Sequence, residues 1–145
     1  MKPWQWRRYK QCIMRVTTFF AILPLIFAYK FNANPRLLRE LTDLRRPHIE
    51  PCIAQSNVDR SMAVNTLIHQ DYPDDRPYWC YTKCMASRIG LYNVSLGEFE
   101  YVGRPRDLTK ELYDHCAPKY RDESDECRKV YSTIVCFLKG MTTEA

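Results

Sequence analysis

From Asn34 onward the apolar residues recur at helical rather than strand spacing. Leu37, Leu38, Leu41 and Leu44 fall on one stripe, Asn34 is placed to cap, and Pro35 suits the first helical position, so an amphipathic helix is predicted here. Pro47 and Pro51 limit its length, which puts Cys52 on a separate turn or on a short second helix through Ile53, Ala54 and Gln55. A third helix, from about Val58 to about His69, carries Met62, Leu67 and Ile68. Asp71 to Asp75 has turn chemistry, and Pro77 can open a helix bearing Tyr78, Trp79, Cys80, Tyr81, Cys84, Met85, Arg88 and Ile89, which Gly90 ends.

Gly90, Gly97 and Gly103, three of the four glycines, mark the stretch up to Pro105 as loop-rich, with a short helical turn expected near Phe99. A helix from Asp107 to about His115 follows, with Leu108 and Leu112 on one face, and Cys116-Ala117-Pro118 terminates it. The last begins at a capping Asp125 and runs through Cys127, Val130, Tyr131, Ile134, Val135, Cys136, Phe137 and Leu138 to Gly140. No stretch alternates convincingly with period two, so the expected class is all-α, a compact domain of about six helices.

The beginning of the chain follows another pattern. Residues 1–15 hold Lys2, Arg7, Arg8, Lys10 and Arg15 and no acid, and Val16 to Ala28 carries no charge. This is the outline of a secretory signal peptide, expected over residues 1–28 with cleavage between 28 and 33, leaving a helical domain over 29–145. Met14 would make a more compact start. As a membrane anchor the apolar run is too short, since its length at about 1.5 Å per residue reaches about 20 Å against a hydrocarbon core of roughly 30 Å.

Losing that leader changes the electrostatics. The whole chain has 22 basic and 17 acidic residues; taking away the five basic residues of the leader leaves 17 of each. A balanced mature chain leaves nothing to suggest a basic face for nucleic acid, and its expected location is outside the cell with no stable membrane anchor.

Seven cysteines become six when Cys12 departs with the leader. An even set in a small secreted chain reads as three disulfides. Zinc is the weaker reading, because no C-x2-C exists and His48, His69 and His115 are scattered. Cys80 and Cys84, four apart on a helix, project from one face about a turn apart and can each hold a different segment. Cys127 and Cys136, nine apart, fall on opposite sides of theirs. Spacing leaves all fifteen connectivities open.

Counted along the chain, the gaps from Cys52 to Cys80, Cys84, Cys116, Cys127 and Cys136 are 27, 3, 31, 10 and 8 residues. This resembles the insect odorant-binding protein family of the six-cysteine pheromone and general odorant-binding type, whose hallmark is a three-residue second gap and an eight-residue last gap. The helix order, the leader, and Gly97 with Phe99 in the middle region add to the likeness. The resemblance implies an interlocked pairing of Cys52 with Cys84, Cys80 with Cys127, and Cys116 with Cys136. It also implies an apolar cavity for small hydrophobic ligands.

The residues assigned to that cavity are Met62, Leu67, Met85, Ile89, Leu112, Tyr131, Ile134, Phe137 and Leu138. Each alone reads as ordinary core, since an apolar stripe at helical spacing is usually packing; as a set within this framework they are expected to surround a pocket. Beyond Phe137 and Leu138, the tail to Ala145 is expected to cross the pocket as a strand or wall, with Gly140 free to bend. His69 and His115, at predicted helix ends, are candidates for a pH response.

Catalysis finds no carrier: all six remaining cysteines are wanted for bridges, leaving no free thiol to act as nucleophile. Asp122, Glu123, Asp125 and Glu126 lack the spacing of a calcium loop and read as a solvated helix start. No cofactor or metal is expected. Asn93-Val94-Ser95 is a glycosylation sequon, a weak motif in a surface loop.

The function implied is a secreted carrier that takes odorants, pheromones or similar semiochemicals through an aqueous fluid, meeting an odorant receptor only indirectly. One alternative is a salivary or other secreted scavenger of host mediators or biogenic amines, which needs an acid inside the pocket. Another is a secreted helical signalling protein with no cavity. Oligomeric state is not legible.

Overall fold

The structure, a computed structural model, describes residues 28–144; the expected leader lies, but for Ala28, outside the described residues. Six α-helices are present among them. Helix α1, Pro35–Arg45, starts where expected, with Asn34 Oδ1 accepting from the Leu37 amide at 2.9 Å and Leu37 fully buried. A 3-10 turn, Arg46–His48, leads into α2, Ile49–Ser56, which stops at Asn57 in the left-handed region. Helix α3, Arg60–His69, starts two residues later than expected because Asp59 caps it, accepting from the Met62 amide at 3.1 Å, while the Val58 side chain turns into the core.

Helix α4, Arg76–Arg88, has Pro77 in its first turn. Helix α5, Lys110–Cys116, begins three residues later than expected, because the Thr109 hydroxyl, not Asp107, accepts the orphan amide of Leu112. Helix α6, Glu126–Met141, is capped by Asp125, which accepts from Cys127 and Arg128. It passes through Gly140 without a break, which corrects the expectation that the glycine ends or bends it.

Short strands supplement the helices. β1 (Tyr29–Asn32) lies between β2 (Asp71–Tyr72) and the last strand, Thr143–Glu144, pairing antiparallel with both. Its Phe31 is 1% exposed, so the segment beside the expected cleavage point belongs to the core. The helical turn expected near Phe99 is instead a hairpin of β3 (Tyr92–Asn93) and β4 (Glu98–Phe99); the remaining strand, Thr143–Glu144, is β5. Asn93 organises the hairpin turn: its Oδ1 accepts from the Ser95 and Leu96 amides and its Nδ2 donates to Glu100 at 2.8 Å.

Three bridges lock this arrangement: Cys52–Cys84 joins α2 to α4, Cys80–Cys127 joins α4 to α6, and Cys116–Cys136 joins α5 to α6. These are the pairs the resemblance implied. Closing loops of 32, 47 and 20 residues removes freedom from the unfolded chain, about 3 to 4 kcal/mol per bridge in a chain-entropy account. The core has two parts, one around Phe31, Leu37, Tyr72, Tyr78, Tyr81 and Leu138, the other around Ala86, Leu91, Phe99, Leu108, Val130 and Phe137. Helices α4 and α6 run between the two parts and contribute to both.

Candidate functional site

Where the two parts meet, the helices leave an apolar cavity of about 50 Å³. Its walls follow from helical periodicity. On α6, Ile134, Phe137, Leu138 and Met141 recur at three- and four-residue steps and share one face; Thr82, Met85 and Ala86 on α4, with Ile89 after it, do the same. Leu41, Leu44 and Arg45 come from α1, Leu67 from α3, Tyr72 from β2, and Leu91, Pro105 and Leu108 from the segments between α4 and α5.

Of the residues assigned from sequence, Leu67, Met85, Ile89, Ile134, Phe137 and Leu138 line this cavity. The other three lie elsewhere. Met62 packs on the outside of the first core part, Leu112 packs against the second beside Gly140, and Tyr131 is buried behind Tyr72, whose backbone carbonyl accepts from its hydroxyl at 3.2 Å. The tail does not cross the pocket: α6 extends to Met141, and Thr143–Glu144 then pairs with β1. His69 and His115 are exposed and are not among the lining residues.

Several lining residues carried a signal that went unused. Leu41 and Leu44 belong to the α1 stripe, and Met141 continues the step from Ile134, Phe137 and Leu138. Arg45, four residues after Leu41, shares that stripe, but a basic residue there reads as the solvated end of an amphipathic helix.

Arg45 is nevertheless buried, at 6% exposed. Its Nη2 donates to the Ala63 carbonyl at 3.3 Å and to the Tyr81 hydroxyl at 3.2 Å, and the guanidinium lies 5.7 Å over the Tyr81 ring. Its Nε and Nη1 have no hydrogen-bond partner among the described residues, and no carboxylate pairs with it there. Burial pushes the Tyr72 and Tyr78 phenols above their ordinary range, so these two hydroxyls stay neutral beside Arg45. The Tyr78 hydroxyl, near those of Tyr72 and Thr66, makes no hydrogen bond of good geometry. Thr82 is already satisfied, donating to the Tyr78 carbonyl at 2.9 Å.

Residues 36–140 match the model of the PBP/GOBP family. The chain belongs to that family. Over 80 residues it is 28% identical to "General odorant-binding protein 99b" of Drosophila melanogaster, covering 48% of this chain and 54% of that protein. It therefore spans about half the length of the curated relative it matches. No solved structure matches it. In this PBP/GOBP chain the matched span holds all six bridged cysteines and every cavity-lining residue except Met141. Among the described residues no helix is long and apolar enough to cross a membrane.

Proposed function

We propose that this protein is a secreted carrier that takes up small hydrophobic molecules in the cavity between α1, α4 and α6 and moves them through an aqueous fluid. The observation that carries this reading is the cavity: a mostly apolar wall whose two main faces, on α4 and α6, are tied together by Cys80–Cys127, in a chain of the PBP/GOBP family. The name of the Drosophila relative supports it.

At about 50 Å³ the cavity is smaller than the roughly 150 Å³ of an engineered apolar cavity that takes up benzene, so uptake requires the walls to move. Met85 and Met141, unbranched and adaptable, are the residues suited to give way. The scavenger of amines is disfavoured because, among the described residues, no carboxylate lines the cavity and the charged residue that does is a cation.

The test is a fluorescence titration of the disulfide-bonded protein with an apolar naphthylamine dye, followed by displacement with medium-chain alcohols. Saturable uptake, lost when Ile134→Trp fills the cavity, is expected. Absence of uptake by a correctly bridged protein, or undiminished uptake in the filled variant, removes the assignment.

A further inference from the structure

We propose that the cavity is built for amphiphiles ending in a carboxylate, with Arg45 as the group that receives the acid. This rests on the carrier reading and names the ligand class for the same cavity.

Arg45 lines the cavity, is 6% exposed, and carries a permanent charge that nothing among the described residues neutralises. One guanidinium nitrogen is used, on Ala63 and Tyr81; Nε and Nη1 are not. A buried cation with two unpartnered donor groups is costly, because no side chain among the described residues replaces the hydration it has lost. Apart from Tyr72 and Thr82, the remaining walls are apolar, mainly leucine, isoleucine, methionine and phenylalanine, which suit an alkyl tail.

Those two features describe one molecule, an apolar chain with an acidic end. Guanidinium and carboxylate match as planar, two-pronged partners, a geometry that an ester or alcohol cannot reproduce. Tyr81 strengthens the match, since its hydroxyl accepts from Arg45 and keeps its own proton to donate. Because folding has already stripped Arg45 of water, the acid meets a desolvated charge. A neutral ligand leaves that charge unpaired.

The rival is that Arg45 serves only to tie α1 to α3 and α4. The experiment compares decanoic acid, methyl decanoate and decan-1-ol as competitors of the naphthylamine dye, on the disulfide-bonded protein and on Arg45→Met and Arg45→Lys. The acid should compete at least tenfold more tightly than the ester in the unaltered protein. That ratio should fall to about one in Arg45→Met and lie between in Arg45→Lys.

Equal competition by acid and ester in the unaltered protein overturns the assignment while leaving the carrier reading intact. So does an acid preference that survives in Arg45→Met. If dye and all three compounds fail to bind, the carrier reading falls and this one with it. Should Arg45→Met not fold, the acid-to-ester ratio of the unaltered protein decides.

Discussion

Leu112 and Gly140 meet so closely that a Cβ at position 140 would stand 2.3 Å from Leu112 Cδ1, 2.7 Å from Cδ2 and 3.0 Å from Cγ. The contact brings α5 against α6 next to the Cys116–Cys136 bridge, and the missing side chain is what permits it. Gly140→Ala should therefore destabilise the protein even though alanine favours a helix interior by about 1 kcal/mol. Rotation about χ2 leaves Leu112 Cγ in place, so the leucine must leave its χ1 rotamer and its packing on α6, and this overpacking of about 2 to 3 kcal/mol outweighs the propensity gain. In a Leu112→Ala background the same change should become stabilising. Urea midpoints of the four proteins in the cycle decide, and a stabilising Gly140→Ala on the unaltered chain would contradict the account.

Glu126 is a junction of three elements, paired with Lys83 on α4 and accepting from the Tyr92 hydroxyl at 2.7 Å. The hydrogen bond from Lys83, with that from Tyr92, holds its carboxyl below the usual range. A carboxyl lowered by folding stabilises the protein above its unfolded pKa of about 4.3, and that contribution disappears as pH falls through the folded value. At 39% exposure it is screened by water, so Glu126→Gln should lose about 0.5 to 1 kcal/mol at neutral pH. The gap should close well below about pH 4. Denaturation midpoints that differ equally at neutral and acid pH would show that the charge is irrelevant.

Met85→Ala should move stability and binding in opposite directions. Removing this buried wall residue costs about 2 to 4 kcal/mol. It also enlarges a cavity too small for its proposed cargo, so dye uptake should be faster and tighter. A melt combined with stopped-flow dye binding reads both, and slower, weaker binding by the folded variant would argue against a dilating cavity.

A protein beginning at Asn34 should be less stable than one beginning at Tyr29. The shorter form loses β1, the buried Phe31, and the hydrogen bond from the Ala33 amide to Gln70 at 2.7 Å. Burial of Phe31 alone is worth roughly 1.5 to 3 kcal/mol. Accordingly, the N-terminus of secreted protein is expected at Tyr29, read by mass spectrometry. Equal melting temperatures for the two forms would make the strand dispensable.

Asn34, Asp59, Thr109 and Asp125 cap their helices through bonds to amides two or three residues away, and the α6 wall is a three- and four-residue periodicity; both are local interactions that a sequence displays. The cysteine gaps likewise displayed the family and, through the resemblance, the pairing. β1 was legible in principle, since Tyr29, Lys30, Phe31 and Asn32 alternate between inward and outward, but four residues beside an expected cleavage point carry too little pattern. Two-residue strands carry none, because their partners lie far along the chain.

The burial of Arg45, the closeness of Gly140 to Leu112 and the small volume of the cavity were decided only by tertiary structure. Each depends on where one helix surface comes to rest against others distant in sequence. At Arg45 the side chain follows the leucine stripe of its own helix inward. Only the approach of α3 and α4 turns a basic helix end into a desolvated charge at the edge of a pocket.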